Sequence, residues 1–178
     1  MRALTVILVA GFLTFPLHAQ RNRPDPLTEA QQDQIAGAGD APVDRLNLYV
    51  KFLNEHADTI QGLLKRAHSA ARIHRMDDEF ESFANLMDEM SANLDVYADR
   101  KADIRPCMKP MNESIEHWQS LLNGITKDPG YETSLQDAID SVSDLLTQAR
   151  QITTDQEAYF KAHPDQKGQD RYEPKNSQ

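Results

Sequence analysis

The sequence predicts an all-α protein, an elongated antiparallel bundle of three long helices with coiled-coil-like packing. Three observations carry this. Apolar residues recur at alternating spacings of three and four over long stretches, the mark of a helical seam. Glycine is scarce in the same region, with Gly62 alone between residues 43 and 123. No stretch alternates β-branched and polar residues as a half-buried strand would.

Residues 1–19, MRALTVILVAGFLTFPLHA, are expected to be a signal peptide. Arg2 gives a positive start. Ala3 to Phe15 is an apolar run of signal-core length, too short to span a bilayer, and Pro16 breaks it before a small residue at the cut, Ala19. The mature chain, Gln20–Gln178, then has 159 residues, suited to one domain. The expectation is export to a periplasmic or extracellular compartment, with no membrane anchor after cleavage.

The formal charge of −9 becomes −10 once Arg2 is removed. A strongly acidic surface disfavours nucleic acid, which calls for a basic stripe that displaces counterions. It also disfavours an anionic membrane surface. One cysteine, Cys107, cannot form an internal disulfide, so stability must come from burial.

Residues 20–42 are expected to hold a short helix and a linker. Thr28, with Gln31 three residues on, forms a capping-box pattern, and GAGDAP ends that helix. The bundle domain spans 43–163. Its first long helix starts near Pro42, a residue favoured at the first helical position. That start leaves Ala41 as a poor cap, with Asp40 the nearest good one. The seam runs from Val43 through Leu46, Val50, Leu53, Ala57, Ile60 and Leu64 to Ala67 and Ala71, widened by Tyr49, Phe52 and Leu63. Lys65, Arg66, Arg72 and Arg75 would complement the dipole at its C-terminal end. His56, His68 and His74 are expected as partly exposed polar residues on or just past it.

The second seam runs from Met76 through Phe80, Phe83, Met87, Met90, Leu94 and Tyr97 to Lys101, Ile104, Met108, Met111, Ile115, Trp118, Leu122 and Ile125. Its register persists across Pro106 and Pro110, and ADIRPCMKP has no Gly, Asn or Ser for a reversal. This favours one long helix kinked near Pro106 and Pro110. The alternative is a split at 102–106 with Asp103 as N-cap, giving four helices. NGITKDPGYET is a loop. The last helix, Glu132 to Ala162, carries a double seam and so touches two neighbours. Pro164 stops it, and 164–178 is expected to be a disordered polar tail.

The segment IRPCMKPMNESIEHW, 104–118, gathers the residues most suited to soft-metal chemistry: Cys107, Met108, Met111 and His117. On a helical wheel Met108 and Met111 lie on the seam and Cys107 beside it, whereas His117 lies about 120° from Met111 at ~100° per residue. One helix cannot converge these groups on an ion, so a metal or haem site would require a second helix. The plainer reading is flexible core filling beside a kink. Glu113 and His117 miss the Glu-x-x-His spacing of a di-metal bundle. No Gly-rich phosphate loop, G-x-S-x-G or H-E-x-x-H occurs. A non-catalytic protein without cofactor is therefore expected.

Nine acids crowd residues 77–103. They either pair across the hairpin with Lys65, Arg66, Arg72 and Arg75, or form a docking face for a basic partner. Heptad seams also allow a homo-oligomer, which Cys107 could then crosslink.

Two short segments, one near each end of the mature chain, share a pattern. Leu27-Thr28-Glu29-Ala30-Gln31 fits an L-T-x-x-Q motif, and Ile152-Thr153-Thr154-Asp155-Gln156 fits it loosely, with Ile for Leu. This resembles the repeat of small helical periplasmic stress chaperones, which also place one copy near each end. The resemblance implies a cradle-shaped helical protein that binds unfolded clients. The expected role is an exported, non-catalytic binding or scaffolding module. A client-binding chaperone and a metal or haem carrier using 104–118 are the alternatives.

Overall fold

The computed structural model describes residues 25–168. The expected signal peptide therefore lies outside the described residues, as do residues 169–178. The described residues form five α-helices: α1 (Glu29–Gly37), α2 (Pro42–Leu64), α3 (Ala70–Asp99), α4 (Arg105–Asn123) and α5 (Glu132–Ala162). No strand occurs among the described residues. None of their helices is long and apolar enough to cross a membrane.

The short leading helix starts as its sequence dictates. Thr28 accepts from the Gln31 N–H, and Gln31 Oε1 accepts from the Thr28 N–H at 2.8 Å, a complete capping box. Pro42 opens α2 with Ala41 as an uncapped N-cap.

The three-helix count does not hold: the middle helix splits, giving the alternative of four long helices, and the break before it falls earlier than the seam suggests, ahead of Ala71. The first break is after Leu64. Ser69 is extended (φ −160°, ψ 157°) and its Oγ accepts from the Arg72 N–H, so it caps α3 at Ala70. Arg72 and Arg75 thus belong to the start of α3, not to the end of the preceding helix. The Arg72 guanidinium donates back to the Arg66 carbonyl at 3.0 Å and satisfies an orphan acceptor there.

The second break replaces the single kinked helix. After α3, Lys101 turns left-handed at φ 56°. The Ala102 N–H bonds the Tyr97 carbonyl and the Lys101 N–H bonds the Ala98 carbonyl. These two bonds define a Schellman motif, the usual helix stop, made here without glycine. Its accompanying apolar contact positions, Ala102 and Tyr97, are buried. Asp103 is not the N-cap of α4. Ile104 holds that position without a side-chain cap. The Asp103 carboxylate instead grips the Arg105 guanidinium at 2.7 and 2.6 Å and accepts from the Gly168 N–H at 2.8 Å. Pro106 falls in the first turn of α4, where its missing N–H has no partner to lose.

The long helices form a four-helix bundle. Around the bundle the order is α2, α3, α5, α4, each packing on its two neighbours. Cross-links fix their directions. His56–Glu79 and Tyr49–Asn93 make α2 and α3 antiparallel. Asn112–Thr153 and Glu116–Arg150 do the same for α4 and α5. Asp77–Ser134 and Ser91–Gln148 make α3 and α5 parallel. α1 lies against α2.

The core follows the seams, widened as the second apolar stripe of each helix requires. Phe52, Phe80, Phe83, Phe160 and Trp118 are fully buried, each worth about 1.5–3 kcal/mol relative to exposure. In α2 the widening residues Tyr49, Phe52 and Leu63 are buried, while Val50 and Leu64 of the seam are only partly so. A 3-10 turn, Pro164–Gln166, follows α5, and the Tyr159 hydroxyl donates to Gln166 there.

Candidate functional site

The segment 104–118 divides between inside and outside. Cys107, Met108 and Met111 face the core and are buried, with Ile115 and Trp118 on the same side. His117 is exposed. The helical wheel separates these groups, and α4 keeps them apart. The Cys107 thiol donates to the Ile104 carbonyl at 3.1 Å, and burial pushes its pKa up to about 12. Such a thiol is neutral and inert. Trp118 Nε1 donates to Asn54 Oδ1 on α2 at 2.8 Å, and its ring meets Phe83 of α3 edge-on at 5.8 Å. The indole thereby joins α4 to α2 and α3. Among the described residues, no three His, Cys, Asp or Glu side chains are grouped so as to hold a metal ion.

A second polar station lies in the core. Gln156 of α5 is buried. Its Nε2 donates to the Ala102 carbonyl at 2.6 Å, and its Oε1 accepts from the Ile104 N–H at 3.1 Å. The sequence marked Gln156 only as the end of the looser L-T-x-x-Q match. In the fold it supplies the hydrogen bonds that the gap between α3 and α4 leaves open. Thr153 of the same match donates to the Ala149 carbonyl and accepts from Asn112.

The third station is His56. His68 and His74 are exposed, with side chains 65 % and 76 % accessible, but the His56 side chain is only 15 % accessible. Nδ1 lies 2.6 Å from Glu79 Oε1 and Nε2 lies 3.0 Å from the Pro26 carbonyl. The Phe83 ring approaches it edge-on at 6.4 Å. The seam gave no sign of this, because His56 sits beside the stripe and its partners come from two other segments.

A polar groove of about 320 Å³ lies between α3 and α5. Glu81 and Asp88 line one wall, with Asn85 between them, and Asp137, Asp140 and Asp144 line the other. Among the described residues that line it, none is basic. The acids of 77–103 supply one wall only. The other wall was legible in principle, since positions 137, 140 and 144 share one helix face. That the two stripes meet depends on α3 and α5 being neighbours. Elsewhere in 77–103, Asp77 accepts from Ser134, Asp78 pairs with His74, and Asp95 accepts from Gln148.

Comparison with protein-family models, with curated proteins and with solved structures finds no match.

Proposed function

We propose that the chain is an exported, non-catalytic binding module whose groove between α3 and α5 receives a cationic partner. The observation that carries this reading is the meeting of five carboxylates from two parallel helices around one groove whose described lining has no basic side chain. Like charges brought together across a groove raise a negative potential there, which attracts a cationic ligand and speeds its encounter. Export rests on the apolar run and small-residue cut of residues 1–19. A chaperone for unfolded clients calls for an apolar concave face. Among the described residues Val96 is the one large apolar side chain left exposed, which weighs toward a charged partner.

Isothermal titration of the mature protein with a Lys/Arg-rich peptide of defined sequence tests this, with a Glu/Asp-rich peptide as control. Saturable binding is expected for the basic peptide alone, weakening as salt rises. Joint Asp137→Asn, Asp140→Asn and Asp144→Asn substitution is expected to weaken it at least tenfold. Equal affinity in that variant, or no binding at low salt, overturns the reading.

A further inference from the structure

His56 stands where three segments meet, and both of its ring nitrogens face acceptors. Glu79 on α3 offers a carboxylate oxygen to Nδ1, and the strap before α1 offers the Pro26 carbonyl to Nε2. Neither partner can donate a proton if Glu79 is ionised. A neutral imidazole has one N–H and one lone pair, so it can satisfy only one of them. The imidazolium satisfies both. The charged groups acting on the ring are Glu79 from α3 and Glu55 from α2, both acidic, while the strap contributes the Pro26 carbonyl.

We propose that His56 is a proton-operated latch: its doubly protonated ring fastens the strap of residues 25–28 across α2 and α3, and loss of that proton frees the strap. Among the described residues, further contacts hold the strap and α1, one of them from Lys51 Nζ, which donates to Gln34 at 3.4 Å. Leu27 is buried, Gln31 Nε2 donates to Glu55 at 2.9 Å, and Ile35 of α1 is buried. Without its Nε2 proton the ring turns a lone pair toward the Pro26 oxygen, while the contact to Glu79 can persist through Nδ1–H. The strap contact is therefore the one that breaks.

The direction in pH follows from the environment. Burial works to lower the ring's pKa, but the bond to Glu79, the Glu79 charge, the Pro26 carbonyl and Glu55 together outweigh it, and the net displacement is above 6.5. A raised histidine contributes its stabilisation in full below the unfolded value and loses it as pH rises through the folded one. The latch is closed in acid and opens toward alkaline pH.

The test is NMR of the mature full-length chain between pH 5 and 9, following the His56 Cε1–H shift and the amide shifts and heteronuclear NOEs of Leu27–Gln32. The expected result is one shared midpoint above 6.5, with the strap NOEs falling on its alkaline side. Glu79→Gln keeps an acceptor but removes the charge, and is expected to move the midpoint down. In His56→Gln the strap is expected to lose that transition. Strap amides that do not follow His56, a midpoint at or below 6.5, or an unmoved midpoint in Glu79→Gln overturns the latch. The Glu79→Gln measurement decides alone if His56→Gln does not fold.

Discussion

Gln156 on α5 holds the carbonyl of Ala102 at 2.6 Å, and the same amide accepts from the Ile104 N–H. One side chain thereby closes both sides of the gap between α3 and α4, where the backbone has no helical partner to offer. Gln156→Ala would strand two buried backbone groups, a loss of about 2–6 kcal/mol at 1–3 for each. The melting temperature should fall by roughly 4–24 °C. Gln156→Glu is more specific. Its carboxylate can accept from Ile104 but cannot donate to Ala102. That variant should be destabilised at neutral pH and recover in acid, where the protonated carboxyl regains a donor. Melting curves at both pH values separate a lost donor from lost packing.

Lys101 carries the left-handed conformation of the Schellman stop without being glycine. A side chain there costs about 1 kcal/mol. Its Nζ lies 5.7 Å from the centre of the Tyr159 ring, an exposed contact that offsets part of that cost. Lys101→Gly is expected to raise the melting temperature by a few degrees, at most about 4 °C. Lys101→Val should lower it, since a β-branched residue resists positive φ. A denaturant series on the two variants checks the opposite signs.

Gly130 is required by proximity. A Cβ at this position would overlap Ile73 Cγ2 of α3, and Ile73 is stiff at χ1. The same turn is tied by Asp128, which accepts from the Gly130 N–H at 2.9 Å and from His68 at 3.1 Å. Those contacts, the Gly130 bond first, hold the Asp128 carboxyl below the ordinary range. Gly130→Ala should cost about 1–3 kcal/mol by overpacking. Adding Ile73→Ala should return part of it. A double-mutant cycle showing no coupling would place the strain elsewhere.

Cys107 should be unreactive in the native protein. Its thiol is buried and ionises only at about 12. At pH 8 a thiol-specific disulfide reagent should label it only as fast as the bundle opens, and fully in denaturant. The unfolded thiol ionises near 9 and the folded one does not, so above that value stability should decline as pH rises. Rapid native labelling, or a disulfide-linked dimer on a non-reducing gel, would show that this face of α4 is open in solution.

Period and punctuation in the sequence determined much of this protein. The helical class, the capping box at Thr28 and Gln31, the uncapped start at Pro42, the loop after Asn123 and the span of α5 are all local. They follow from side-chain spacing and from turn residues within a few positions. The burial of Met108, Met111 and Trp118 apart from His117 follows from the same wheel. What escaped is long-range. The break at 100–104 leaves the apolar period intact, and the break at 65–69 falls inside the first seam, whose last members Ala67 and Ala71 are exposed. Gln156, over fifty residues from Lys101 in sequence, bonds the buried backbone just beyond it. The acidic groove and the His56 station likewise join residues far apart in sequence. Their chemistry exists only once α3 lies parallel to α5 and Pro26 lies over α2, and no local pattern encodes which helices become neighbours.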